Sequence, residues 1–260
     1  MSNAVAPAPA LFGEAPAPAR RLAAGRYSPA RVQAMFDAMA ATYGLAAWLA
    51  GGLLGRWRWQ LAQALVRPEG GPADVVDLMA GGADLWPALR RRFGAGLRVA
   101  AVDFSAPMLA RAARHAAGPA LALYPADALQ TPLPAGQATA VTCAFGLKTL
   151  SPMAYGLLAA EAVRLLRPGG QVAMVELCLP VRGWFRRLLL GYLAALLPVL
   201  RWAHPPAAAH AALPHYARQG PDWARLRLAL RRAGFARLRQ RRLWPGCAVL
   251  LTAEMPGRPL

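Results

Sequence analysis

Between residues 73 and 177 the chain alternates short apolar runs with helical stretches, and this rhythm limits its fold more than any other feature. Residues 73–78 are a mostly apolar run, broken by Gly81-Gly82 and followed by a helical stretch at 85–93. The pair repeats at 97–102 and 107–115. Further strands are predicted at 121–124 and 140–145, then a helix at 153–166 closed by Arg167-Pro168-Gly169-Gly170, and a fifth strand at 171–177. Such an order predicts a parallel sheet with helices on both faces. A helix at 222–233 and strands at 236–243 and 248–253 follow. Only Trp244-Pro245-Gly246-Cys247 separates those two strands, which predicts an antiparallel pair.

The flanking regions read differently. Residues 1–27 are rich in alanine and proline and predict a disordered, extended lead-in with no uninterrupted apolar core of a secretory signal. Residues 28–255 are expected to form a single domain, with an N-terminal helical cap at 28–68 and a helical insertion at 181–218. Ser28-Pro29 suits a helix start, and Val32, Met35, Phe36 and Met39 recur at helical spacing. A second helix is predicted over 45–66, bent at Gly51-Gly52. Its Arg56, Trp57, Arg58 and Trp59 fit either a helix packed on the domain or a membrane-facing lid. The longest apolar run, 188–200, covers 13 residues, against about 20 for a spanning helix.

The net charge is +18, from 30 basic and 12 acidic residues. The chain has no isoleucine, one lysine and one asparagine, the pattern of a GC-rich genome, so the excess of arginine does not require a polyanionic partner. It would still draw the protein toward anionic surfaces. Cys143, Cys178 and Cys247 are scattered and odd in number, which argues against a disulfide framework and suits small core residues. The four histidines form no tight ligand pattern, and no protein-bound metal is expected.

With so few carboxylates, their positions are informative. Asp77 lies near the end of the first predicted strand, Asp103 ends the second, Asp127 follows the third, and Asp84 opens the first helix after the glycine turn. In a parallel sheet of this kind ligands bind at the carboxyl ends of the strands, and an acid at the end of the second strand is placed to hold ribose hydroxyls.

These residues sit in stretches that resemble a class I S-adenosylmethionine-dependent methyltransferase, and within that class the ubiquinone/menaquinone biosynthesis C-methyltransferase family. The resemblance runs through Met35-Phe36-Asp37, Arg56-Trp57-Arg58, Val76-Asp77-Leu78, Val102-Asp103-Phe104-Ser105 with Met108-Leu109, and Ala126-Asp127-Ala128. It continues with Ala144-Phe145-Gly146-Leu147, the narrowest signature, then Leu166-Arg167-Pro168-Gly169-Gly170, Glu176 and Ala233-Gly234-Phe235. The fold it implies is an α/β, Rossmann-like sheet, mostly parallel with the last strand antiparallel, bearing N-terminal helices and a helical insertion after the fifth strand. Carried over, it implies a cofactor site of Asp77, Met79, Gly81, Asp84, Asp103, Phe104, Met108, Asp127, Ala128 and Phe145. Lys148, Thr149 and Tyr216 are the candidates for catalysis. The implied cofactor is S-adenosyl-L-methionine, and the implied acceptor a small lipophilic aromatic molecule, most simply a polyprenyl benzoquinol or naphthoquinol methylated on carbon.

The chain also departs from the pattern. Where the family's first turn usually reads Asp-Leu-Ala-Cys-Gly-Thr-Gly-Asp, this chain has Met79, Gly82 and Ala83 in place of a small residue, threonine and glycine. Lys148-Thr149 replaces Arg-Asn, and Ala138-Thr139 stands where Phe-Asp is usual. His210, Ala212, His215 and Tyr216 occupy the late region that usually carries tyrosines and Glu-x-Ser. A non-catalytic scaffold, or a paralogue acting on another small molecule, is the alternative these changes raise. A nucleic-acid methyltransferase is disfavoured, because the fourth strand leads into Cys143-Ala144-Phe145-Gly146 rather than an Asn/Asp-Pro-Pro-aromatic turn. The expected setting is cytoplasmic, with peripheral contact at the inner face of an anionic membrane. An oligomer is compatible with the sequence and not specified by it.

Overall fold

The computed structural model describes residues 29–40, 52–68, 70–115, 120–178 and 220–257, together with residues 187, 191 and 195. The predicted lead-in, almost all of the 181–218 insertion, and residues 45–51 of the predicted 45–66 helix lie outside these residues.

The described chain forms one seven-stranded sheet in the order β3-β2-β1-β4-β5-β7-β6. Its strands are β1 (Ala73–Leu78), β2 (Leu97–Asp103), β3 (Leu121–Pro125), β4 (Ala138–Ala144), β5 (Leu166–Leu177), β6 (Ala236–Leu243) and β7 (Ala248–Glu254). The β3-β2-β1-β4-β5 segment is parallel throughout, and β7 runs antiparallel to both β5 and β6. Helices α1 (Pro29–Met39), α2 (Leu53–Ala64), α3 (Trp86–Phe93), α4 (Ala106–His115), α5 (Tyr155–Leu165) and α6 (Trp223–Arg232) accompany it.

The strands read as continuous apolar runs because both faces of the sheet are covered. All six residues of β1 are buried. Val75, Val99 and Val175 face α2 and α3, where Trp57, Leu61, Leu65 and Leu89 close one core. Val76, Val102, Cys143 and Met174 face α5 and α6, where Tyr155, Leu158, Leu226 and Leu230 close the other. Edge strand β6 is different: Arg237, Arg239, Arg241 and Arg242 are exposed, and charge on an open edge discourages pairing with another sheet.

Two boundaries differ from the sequence expectation by more than two residues. Strand β5 starts at Leu166, five residues early, because Leu166 pairs with Ala138 ahead of a register shift in β4. Gly170 lies in that irregularity, where a Cβ would sit 2.9 Å from the Arg167 carbonyl oxygen and 3.3 Å from that of Ala138. The Pro-Gly-Gly turn is thus set by the close approach of β4. Helix α2 begins at Leu53, behind Gly52 at φ 77°, so the expected bend is the helix start within the described residues. Cys143 and Cys247 are core residues as expected, whereas Cys178 is half-exposed.

Candidate active site

The strand order reverses between β1 and β4, the place where such sheets open a crevice at their carboxyl ends. A cleft lies there, lined among others by Phe36, Arg58, Asp77, Met79, Gly81, Asp84, Asp103, Phe104, Met108, Ala128, Phe145 and Thr149. Ten of the thirteen residues singled out from sequence therefore meet in one place.

The turn after β1 forms the floor. Met79, Gly81 and Ala83 all take left-handed backbone, at φ 57°, 56° and 56°. Glycine accepts that conformation freely, whereas each non-glycine residue pays about 1–2 kcal/mol. The strain is held by tertiary bonds: Ala80 N–H donates to the Val102 carbonyl at 3.0 Å, and Gly81 N–H donates to Asp103 at 2.8 Å.

Asp103 ends β2 and accepts a second backbone bond from Ser105 N–H at 2.9 Å. A carboxylate has about four acceptor sites, so the two N–H bonds leave capacity for a pair of hydroxyls. Burial pushes the Asp103 carboxyl up, and the two N–H donors pull it back. The loop after Asp103 is fastened to α1: Gln33 Nε2 donates to the Phe104 carbonyl at 3.1 Å, and Ser105 Oγ donates to Asp37 at 2.5 Å.

Asp77 is buried at the end of β1 and accepts from Thr142 Oγ1 at 2.8 Å. Desolvation pushes its carboxyl up to about 7, against the opposing pull of the Thr142 hydroxyl and of Arg58. Asp84 pairs with Arg58 at 3.4 Å and with Arg111 at 3.8 Å.

The far wall follows β4. Phe145 is buried at φ 67°, its N–H donating to the Val175 carbonyl at 2.8 Å. Its ring centroid is 6.2 Å from that of Trp57, and the Arg58 guanidinium carbon lies 5.2 Å from it. Gly146 is equally constrained, since a Cβ there would stand 2.7 Å from Met79 Cβ and 2.9 Å from Met79 Sδ. The methionine that departs from the family's small residue therefore occupies the space beside the retained glycine.

Two of the predicted residues that the structure describes lie apart from the lining. The Asp127 carboxylate caps its own turn by accepting from Leu129 N–H at 2.9 Å. The Lys148 ammonium donates to the Phe145 carbonyl and sits 3.4 Å from Glu176, which is fully buried. Tyr216 lies outside the described residues. Thr149 lines the cleft, its hydroxyl donating to the Gly146 carbonyl at 2.7 Å.

Arg58 is the residue that sequence reasoning missed. The sequence leaves its stretch open between a helix packed on the domain and a membrane-facing lid; Trp57 is 2% and Arg58 6% exposed, so both pack inward. Positions 57, 58, 61, 62 and 65 form one buried helical stripe, which puts Arg58 on the inner face of the helix but does not say what it meets there.

These residues fit S-adenosylmethionine. Asp103 can take a ribose pair, the narrow turn at Gly81 and Gly146 admits a ligand against backbone, and Arg58 brings to the cleft a buried Nε–H with no acceptor. A methyltransferase-domain family model matches residues 75–170. The demethylmenaquinone methyltransferase of Parafrankia sp. (strain EAN1pec) is 33% identical over 249 residues, covering 88% of this chain and 95% of that protein. The ubiquinone/menaquinone biosynthesis C-methyltransferase of Geobacter sulfurreducens is 28% identical, covering 86% and 88%. In fold, the chain is similar to the Haloferax volcanii putative methyltransferase solved with its Trm112 activator, at TM-score 0.60 and 18% identity over 88% of this chain and 99% of that one. It is also similar to the geranyl diphosphate C-methyltransferase of Streptomyces coelicolor A3(2), at TM-score 0.56 and 17% identity over 77% and 78%.

Proposed function

The chain belongs to the demethylmenaquinone methyltransferase family of S-adenosylmethionine-dependent enzymes, and from that premise we propose that it methylates a ring carbon of a polyprenyl benzoquinol or naphthoquinol. The observation that carries the reading is the near full-length match to relatives of that name, joined to a cleft that keeps an acid at the end of β2 and Gly81 bonded to it. When bound, S-adenosylmethionine supplies an activated methyl group. The protein must then exclude water, orient the acceptor in line and accept a proton.

The cofactor-binding residues we assign are Asp77, Met79, Gly81, Asp84, Asp103, Phe104, Met108, Ala128 and Phe145, with Asp127 shaping the adenine side through its turn. Thr149 touches the acceptor, because it lines the cleft with Phe145 and Gly146. Lys148 acts through Glu176 and the Phe145 carbonyl, holding the turn at 147–149 in place. Tyr216 is our remaining candidate for proton removal.

We also place the protein in the cytoplasm, working at the inner face of an anionic membrane. No helix among the described residues is long and apolar enough to cross one. Support comes from the β6–β7 turn: Trp244 is 65% exposed, with the Arg56 guanidinium 5.2 Å over its ring. Since β6 runs parallel to β5, that turn stands at the same end of the sheet as the cleft. Tryptophan suits the headgroup layer and arginine suits anionic lipid.

The test is an incubation of purified protein with S-adenosylmethionine and reduced demethylmenaquinone or a polyprenyl benzoquinol that lacks the ring methyl, read by mass spectrometry. Gain of one methyl on a ring carbon is expected. Binding of S-adenosylmethionine without transfer to any quinol would move the assignment to another small acceptor. Absence of cofactor binding would leave a scaffold.

A further inference from the structure

Helix α2 delivers one cation to the cleft. Arg58 is the sole lysine, arginine or histidine among the described residues that line it. Its side chain is 8% exposed, and its contact with Asp84, 3.4 Å from Nη2, is longer than the 2.7–2.9 Å of a firm charge-assisted bond. The Nε–H is buried without an acceptor. The guanidinium lies over the Phe145 ring, and Phe145 is itself pinned by Trp57 and by its bond to Val175, so the arginine has little room to turn away. A buried guanidinium with an open donor is costly unless something completes it.

S-adenosylmethionine ends in an amino acid, with one carboxylate and one ammonium. Asp103 marks the ribose end, and the turn from Gly81 to Asp84 leads from it toward Arg58. At that end Asp77 and Asp84 offer negative charge to an ammonium, and Arg58 is the one basic residue of the described lining that offers positive charge to a carboxylate. We propose that Arg58 binds the methionyl carboxylate of the cofactor, with Nε as one donor, and that the enzyme thereby selects S-adenosylmethionine over its decarboxylated form. The inference rests on the cofactor assignment and is independent of which acceptor is methylated.

The experiment is a calorimetric titration of the full chain and of Arg58→Gln with S-adenosylmethionine, S-adenosylhomocysteine and decarboxylated S-adenosylmethionine. The wild-type protein should prefer S-adenosylmethionine to the decarboxylated form by about tenfold or more, the loss expected for one charge-assisted contact. Arg58→Gln should weaken both carboxylate-bearing ligands by about tenfold or more while leaving the decarboxylated ligand within about twofold. Equal weakening of all three would make Arg58 a wall residue and overturn the proposal, as would undiminished affinity for S-adenosylmethionine. Should Arg58→Gln fail to fold, the wild-type preference decides alone, and a ratio near one overturns the proposal. Failure of the wild-type protein to bind any of the three ligands would instead strike the cofactor assignment.

Discussion

Ala83 sits 6% exposed at φ 56°, in a conformation that a side chain disfavours and a glycine does not. Ala83→Gly should relieve about 1 kcal/mol of strain, less the entropy glycine adds to the unfolded chain. A rise in Tm of about 2 °C is expected; an unchanged or lowered Tm would show that the buried methyl outweighs the strain. Asp77 makes a second prediction. Its carboxyl is raised to about 7 in the fold, so the folded state holds the proton more tightly than the unfolded chain. The stability this confers is complete at low pH and is lost as pH rises through about 7. Asp77→Asn keeps an acceptor for Thr142 and removes the titration. Its stability should fall less between pH 5 and pH 8.5 than that of the wild-type apoprotein, the difference reaching about 2–3 kcal/mol at the alkaline end. Parallel profiles would refute the shifted carboxyl.

At the scale of elements, the short helical turn after β4 is joined to β5 through one ion pair. Glu176 is fully buried and receives the Lys148 ammonium at 3.4 Å, Lys148 N–H at 3.1 Å and Leu177 N–H at 2.7 Å. Lys148→Met should destabilise by about 3 kcal/mol by leaving a buried charge, and Lys148→Met with Glu176→Gln should recover much of the loss. Recovery of stability together with methyl transfer would give the lysine a positioning role, whereas stability without activity would give it a chemical one. The elements themselves were legible from sequence, since each β–α repeat carries its own apolar period and turn glycines. The places of Asp103 and Gly81 in the cleft were legible for the same reason, one ending a strand and the other standing in the turn that follows one. Arg58, Asp127 and Lys148 were not. What each does depends on a partner supplied by another element, or, for Asp127, on whether its carboxylate turns to the cleft or to its own backbone, and no local period encodes that choice.

For the whole molecule the dominant quantity is a charge of +18, much of it exposed on α6 and β6. Flotation with liposomes should show binding to anionic and not to neutral vesicles, weakened at high salt, with each surface arginine contributing about 1 kcal/mol. Trp244→Ala with Arg56→Gln should reduce binding further, and no binding to either vesicle would move the acceptor toward a water-soluble aromatic. The same turn has another part in the life of the chain. Trp57 Nε1 donates to the Trp244 carbonyl at 2.8 Å across 187 positions of sequence, and Arg241 reaches Gln60 across 181. During synthesis, helix α2 leaves the ribosome early and must wait for the β6–β7 turn before it can be fastened. Arg58 is on that helix, so the pocket wall it forms is completed only after most of the sheet has been made.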